Sequence, residues 1–118
     1  MPHTIHKYPF TTLENTFTQL FPVNAQILKI ECQHDMPTMW VLHNTNKNIV
    51  ESRTFRIYKT GDTITDIEKL THIGTFHLHN SDLIWHVFEE HNSGTSYIED
   101  ILKHSTKHKL EPEDASMG

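Results

Sequence analysis

The chain carries a single cysteine, Cys32, so no disulfide can close within it and a structural zinc site of the cysteine-rich kind is excluded. In the run ECQ this residue reads as a small buried hydrophobe rather than a reactive thiol. Basic residues are also scarce, 10 against 15 acidic ones, for a formal charge of −5. A protein that holds nucleic acid stably through the phosphate backbone would need the opposite balance. No stretch approaches the roughly 20 apolar residues of a membrane span, and MPHTIHKYPF lacks the long apolar core of a secretory signal. The expectation is therefore a cytoplasmic protein with neither membrane nor nucleic acid as a stable partner. With only four glycines the chain holds no GxSxG, P-loop or dinucleotide-binding pattern, so we expect a non-enzyme without a cofactor.

Histidine, by contrast, is abundant, with 11 among 118 residues. Five of them fall in LTHIGTFHLHNSDLIWHVFEEH, which reads as a β-hairpin with Asn80 and Ser81 in its loop. That register opposes Thr75 to His86, Phe76 to Trp85 and His77 to Ile84. Alternation then gives one apolar face, Leu70, Phe76, Leu78, Leu83, Trp85 and Val87. The other carries Ile73, Thr75, His77, His79, Asp82, Ile84, His86 and Phe88.

Further short runs alternate or are apolar throughout: TIHKYPF, TFTQLF, AQILKIECQ, TMWVLHN and the stretch Glu51–Thr60, separated by the turn signals HDMP, NTNKN and Gly61-Asp62. AQILKIECQ splits into Ile27, Lys29, Glu31 and Gln33 against Leu28, Ile30 and Cys32. The expected core is Leu28, Ile30, Trp40, Leu42, Phe55, Ile57, Phe76, Leu78 and Trp85. One helix is expected, over 96–109 within a 94–110 segment, since Ser96 and Glu99 have capping-box spacing and Lys103, Lys107 and Lys109 follow. Its apolar stripe, Tyr97, Ile98, Ile101 and Leu102, is narrow. The whole predicts a mainly β protein: residues 1–93 as a small antiparallel sandwich or partly open barrel of six to seven strands, then the C-terminal helix, then a disordered acidic tail over 111–118. Open sheet edges and a narrow helical stripe predict a homodimer or higher homo-oligomer.

Two patterns could carry chemistry. His77 and His79, spaced as some zinc enzymes space their ligands, share a face with Asp82 and His86, which makes these four the candidates should the chain bind a metal. A polar outer face explains them as well, and no metal is expected. His43-Asn44-Thr45 and His79-Asn80-Ser81 echo the paired His-x-Thr/Ser motifs of phosphoesterases, so a histidine- or metal-dependent phosphoester hydrolase is the alternative reading. The binding reading rests on Arg53, Arg56, Tyr58, Lys59 and His86, because arginine forks hold phosphates and aromatic planes stack on bases.

The order of IHKYPF, FPVNAQILKIECQ, MPTMWVLHN, KTGD, IGTF and IWHVFE resembles a family of small uncharacterised proteins of bacteriophages and prophage-carrying bacteria, over about residues 3–90. Tyr8, Ala25, Leu28, Gln33, Trp40, Thr60, Gly61, Gly74, Thr75, His86 and Phe88 carry it. Lys59 and Asn24 stand where that family tends to have glycine, and His77 and His79 lie outside its pattern. The resemblance implies an accessory protein that binds and blocks a host defence component. It would act either by sequestering a nucleotide-like signal or by inhibiting a host protein.

Overall fold

A computed structural model of the chain describes residues 2–46, 48–78, 82–91 and 95–96. Seven strands of seven to ten residues follow one another: β1 (His3–Pro9), β2 (Thr16–Pro22), β3 (Gln26–Gln33), β4 (Met36–Asn44), β5 (Val50–Lys59), β6 (Leu70–His77) and β7 (Ile84–Glu90). A two-residue strand β8 (Thr95–Ser96) ends the described chain. A 3-10 turn, Ile67–Lys69, stands before β6. Thr95 and Ser96, where the expected helical segment 94–110 begins, pair as strand instead, and the rest of that segment and the tail over 111–118 lie outside the described residues.

Among the described residues all pairings are antiparallel and fall into two sheets, with no closed barrel. The smaller sheet has the order β1-β4-β3 and the larger the order β2-β5-β7-β6, with β8 pairing β5. The first two strands, which could have formed a hairpin, are in different sheets. β6 and β7 pair in the register that the sequence suggests, Thr75 opposite His86, Phe76 opposite Trp85 and His77 opposite Ile84. β3 and β4 join through a two-residue turn in which His34 (φ 52°) and Asp35 (φ 64°) are both left-handed. This is the twist that suits a hairpin, reached here without glycine.

The core lies between the sheets and includes Phe10, Phe21, Ile30, Met39, Val41, Phe55, Ile57, Phe76 and Val87. Its aromatic part is continuous: Phe10 stacks on Phe17 at 5.1 Å and Phe17 on Phe55 at 5.3 Å between ring centroids. Each such side chain contributes about 1.5–3 kcal/mol by leaving water. Ile30, Phe55, Ile57 and Phe76 are core as expected, and Leu78 and Trp85 pack against it half-buried.

Three core assignments are corrected. Leu28 is 43% exposed because a bulge between Ile27 and Lys29 inserts one residue and resets the alternation, so Ile27 packs inward in its place. In β4, MPTMWVLHN is apolar on both faces, and the smaller Met39, Val41 and His43 point inward while Trp40 and Leu42 take the outer side. Leu83, also assigned to the apolar face, is 45% exposed just outside β7.

A second bulge, between His72 and Gly74, turns Ile73 toward the core and His72 away from it. Gly74 then sits where the two sheets approach: a Cβ there would meet the Ile30 Cβ at 3.1 Å.

Candidate functional site

β5 sets the geometry of the predicted ligand residues. Along a strand, side chains alternate, so residues 53 and 59 share one side and 56 and 58 the other. With Phe55 and Ile57 buried between the sheets, Arg56 and Tyr58 stand on the outer face, joined there by His86, the register partner of Tyr58. Arg53 and Lys59 belong to the inner side. The five residues therefore do not converge: three form one group, and two lie across the sheet from it.

Both arginines are committed to carboxylates. Arg53 grips Glu89 in two-point fashion, Nε to Oε2 at 2.6 Å and Nη2 to Oε1 at 2.9 Å, and its Nη1 donates to the Ala25 carbonyl at 2.7 Å. The pair is 13% and 17% exposed, and the bond to Glu89 raises the Arg53 pKa against the opposing effect of burial. The guanidinium also lies 5.2 Å from the Phe21 ring centroid. Arg53 thus closes the edge of the sandwich. On the outer face, Arg56 donates to the Tyr58 hydroxyl at 3.4 Å, to Glu90 at 2.7 Å and to both oxygens of Asp66 at 3.0 Å. These bonds raise its pKa further above the ordinary arginine value. A shallow hollow of about 310 Å³ beside it is lined by Arg56, Glu68, Lys69, Glu90 and His91. Its charges are mixed, unlike those of a phosphate site. Lys59 leans over Trp85, its Nζ 5.9 Å from the ring centroid.

Beside Arg56 runs an aromatic and imidazole strip. Phe88 meets Tyr58 edge-to-face at 5.7 Å and His72 at 5.2 Å. Hydroxyls link the histidines. The Thr60 hydroxyl donates to the Ile84 carbonyl at 3.3 Å, and since a carbonyl only accepts, the direction of the chain follows from it. His86 Nε2–H donates to Thr60 at 2.8 Å, the Thr75 hydroxyl donates to His86 Nδ1 at 3.1 Å, and His72 Nε2–H donates to Thr75 at 3.0 Å. His86 is thus held through both ring nitrogens and His72 through one. His72 was missed by the sequence reading. The bulge at Ile73 changes its parity, and the one signal for it in THIG is Gly74, since an isolated glycine within a strand often marks a bulge.

The metal candidates are not assembled. Both ring nitrogens of His86 are engaged by threonines, His77 and Asp82 are exposed, and His79 lies outside the described residues. Among the described residues no three His, Cys, Asp or Glu side chains form a group that could hold a metal ion. Of the two hydrolase tripeptides, the one at His43 can be placed, and its histidine faces inward while Thr45 is exposed. His43 is 1% exposed, with Nδ1–H donating to the Asn44 carbonyl at 2.8 Å and Nε2 lying 3.1 Å from His6 Nδ1. Among the described residues no helix is long and apolar enough to cross a membrane.

The family model described as a domain of unknown function (DUF7352) matches residues 1–97. No curated protein and no solved structure matches the chain.

Proposed function

We propose that this chain, which belongs to the DUF7352 family of unknown function, is a non-catalytic accessory protein of phage type. It works in the host cytoplasm by docking on a host defence protein and blocking it. The contact surface in this reading is the outer face of the larger sheet, with Tyr58, Phe88, His72 and His86 at its centre and the Asp66–Arg56–Glu90 group on its rim.

One observation carries the choice of a protein over a nucleotide: the two arginines that a phosphate would need are bound to carboxylates. To reach Arg56, a phosphate would have to displace Asp66 and Glu90 and leave two carboxylates beside an anion. A protein partner needs no such exchange. Aromatic side chains and arginine are what protein interfaces concentrate, and a rim of fixed charge supplies partner selection. The imidazole row, already bonded to threonines, presents a prearranged surface that loses little entropy on docking.

The reading is tested by thermal denaturation with a panel of linear and cyclic nucleotides, followed by capture of host protein on wild-type and variant chains. No nucleotide should move the transition, whereas a ligand at a hundred times its dissociation constant would add about 2.7 kcal/mol. Tyr58→Ser and Phe88→Ser should each release a partner that wild type and Ile5→Ser, exposed on the smaller sheet, retain. A nucleotide shift abolished by Arg56→Ala would replace this reading with the sequestering one, and turnover of a bound phosphoester would replace it with the hydrolase.

A further inference from the structure

A sheet edge is a row of unpaired backbone groups, and strands that must stay single usually carry something that blocks pairing. Among the described residues four strands end the two sheets, and three of them are so equipped. β1 holds Lys7 and Pro9, β3 has its bulge with Lys29 and Glu31, and β6 has the bulge before Gly74, which lies against Ile30 of β3. β2 has none of these. From Thr16 to Phe21 it reads TFTQLF, uncharged and in unbroken register with β5, and its one proline, Pro22, stands at the last position.

Which groups β2 presents follows from its ladder. The Ile57 N–H donates to the Asn15 carbonyl at 2.8 Å and the Val23 N–H to the Ile49 carbonyl at 3.0 Å, and both pairs continue the β2–β5 register. In an antiparallel ladder, pairs that exchange hydrogen bonds alternate with pairs that do not. Phe17, Gln19 and Phe21 therefore bond toward β5, while Thr16, Thr18 and Leu20 turn their N–H and C=O groups away from it, where no described strand pairs with them. Their side chains stand on the outer face, all exposed, Leu20 at 51%. The Leu20 carbonyl accepts from the neighbouring Gln19 side-chain amide at 3.1 Å and keeps a second lone pair.

We infer that β2 pairs antiparallel with β2 of a second copy of this chain, about a two-fold axis at Thr18. In that register Thr18 exchanges both hydrogen bonds with the partner's Thr18, and Thr16 and Leu20 do so with the partner's Leu20 and the partner's Thr16. Within the paired segment no charge meets its like, two threonines face each other at the axis, and Leu20 is covered in part by the partner's Thr16. A foreign strand would gain the same backbone bonds, but its side chains would find only the small, uncharged groups of Thr16 and Thr18 and one leucine to select it. The second copy brings a matching edge of its own, so one pairing closes two open edges. The two larger sheets then run on as one, with their outer faces side by side. The edge is distinct from the face assigned to the protein partner, and each assignment can fail without the other.

Sedimentation of the full chain from about 1 to about 500 μM, a range suited to a contact of small area, should show the mass rising from 13.8 kDa toward twice that value. Thr18→Lys and Thr18→Glu each set like charges opposite each other at the axis. Each should weaken association about fivefold while keeping the wild-type thermal transition, since the side chain is exposed. An equimolar mixture of the two should associate again, because the axis then joins opposite charges. Should either variant fail to fold, amide exchange of the wild-type chain decides. The N–H groups of Thr16, Thr18 and Leu20 should exchange more slowly as concentration rises, with those of Phe17, Gln19 and Phe21 unchanged. The inference is overturned if the chain stays monomeric throughout that range, if folded Thr18 variants associate as wild type does, if their mixture stays monomeric, or if the three outward amides do not respond to concentration.

Discussion

Replacing Gly74 by alanine adds one methyl group at the point where β6 approaches β3. The glycine has no left-handed φ, so its backbone accepts alanine, and in open space the change would stabilise by about 0.4–1 kcal/mol through the unfolded chain. The space is not open. The new Cβ would lie 3.1 Å from the Ile30 Cβ, 3.2 Å from its Cγ1 and 3.3 Å from its Cδ1. Rotation of Ile30 can withdraw the last two atoms but not its Cβ, which is fixed to the strand, so the sheets themselves have to part by a few tenths of an ångström. Overpacking of this kind costs about 1–3 kcal/mol, which outweighs the entropic gain and leaves Gly74→Ala destabilised by about 1–2 kcal/mol. Ile30→Ala alone should cost about 2–5 kcal/mol as a cavity in a core that Ile30, 7% exposed, helps to close. In the double variant the two changes relieve each other, and the coupling should be about 1 kcal/mol or more. Urea denaturation of the four chains, read by tryptophan fluorescence with a common slope, measures the cycle. A Gly74→Ala chain more stable than wild type, or effects that add to within about 0.3–0.5 kcal/mol, would show that the sheets are not in contact there.

Four further outcomes are expected. Burial raises the Tyr8 pKa above 10.0, so the neutral phenol is favoured in the fold; its contribution is complete below pH 10, is lost as pH rises beyond it, and should vanish from the alkaline limb of the stability profile in Tyr8→Phe. Cys32, raised by burial and by Asp35 and Glu31, should react with iodoacetamide at pH 8 more slowly than a free thiol and reach the free rate in urea. Glu89→Leu, which strands Arg53, should cost about 3–5 kcal/mol, while Glu89→Leu combined with Arg53→Met should recover most of that loss in the same denaturation assay. Exchanging His34-Asp35 for Asn-Gly should raise stability by about 0.5–1 kcal/mol, since both positions are left-handed, and an unchanged midpoint would argue against that turn.

Much of this architecture could be read from alternation alone. Phe76 opposite Trp85 and His77 opposite Ile84 followed from a two-residue loop and one apolar face, because a slip would have exposed that whole face. Alternation failed where a residue was inserted. Leu28 sits in ordinary strand sequence, and only the pairing with β4 shows the bulge that reverses it, whereas the bulge at Ile73 was signalled by Gly74 and passed over. β4 failed for a different reason: both its faces are apolar, so alternation could not say which side is inner, and Met39 and Val41 rather than Trp40 fill the space between the sheets. The site was partly legible. Parity already separates Arg53 from Arg56, and grouping them by charge overlooked it. That Asp66 and Glu90 neutralise Arg56 was hidden in the sequence, since one acid arrives from the loop before β6 and the other from the end of β7.

β5 is the strand to which β2, β7 and β8 all attach. In time, this makes it a bottleneck. The hairpins β3–β4 and β6–β7 join neighbours in sequence and close within microseconds, but neither yields a finished sheet. The larger sheet cannot gain its edge until β2, made early on the ribosome, has waited for the loops and strands between it and β5 to emerge. During that interval Phe17 and Phe21 have no partner strand, and the half-formed chain offers an apolar ribbon to any neighbour. Refolding should therefore show a fast hairpin phase and a slower one, in milliseconds to seconds, whose yield falls with protein concentration.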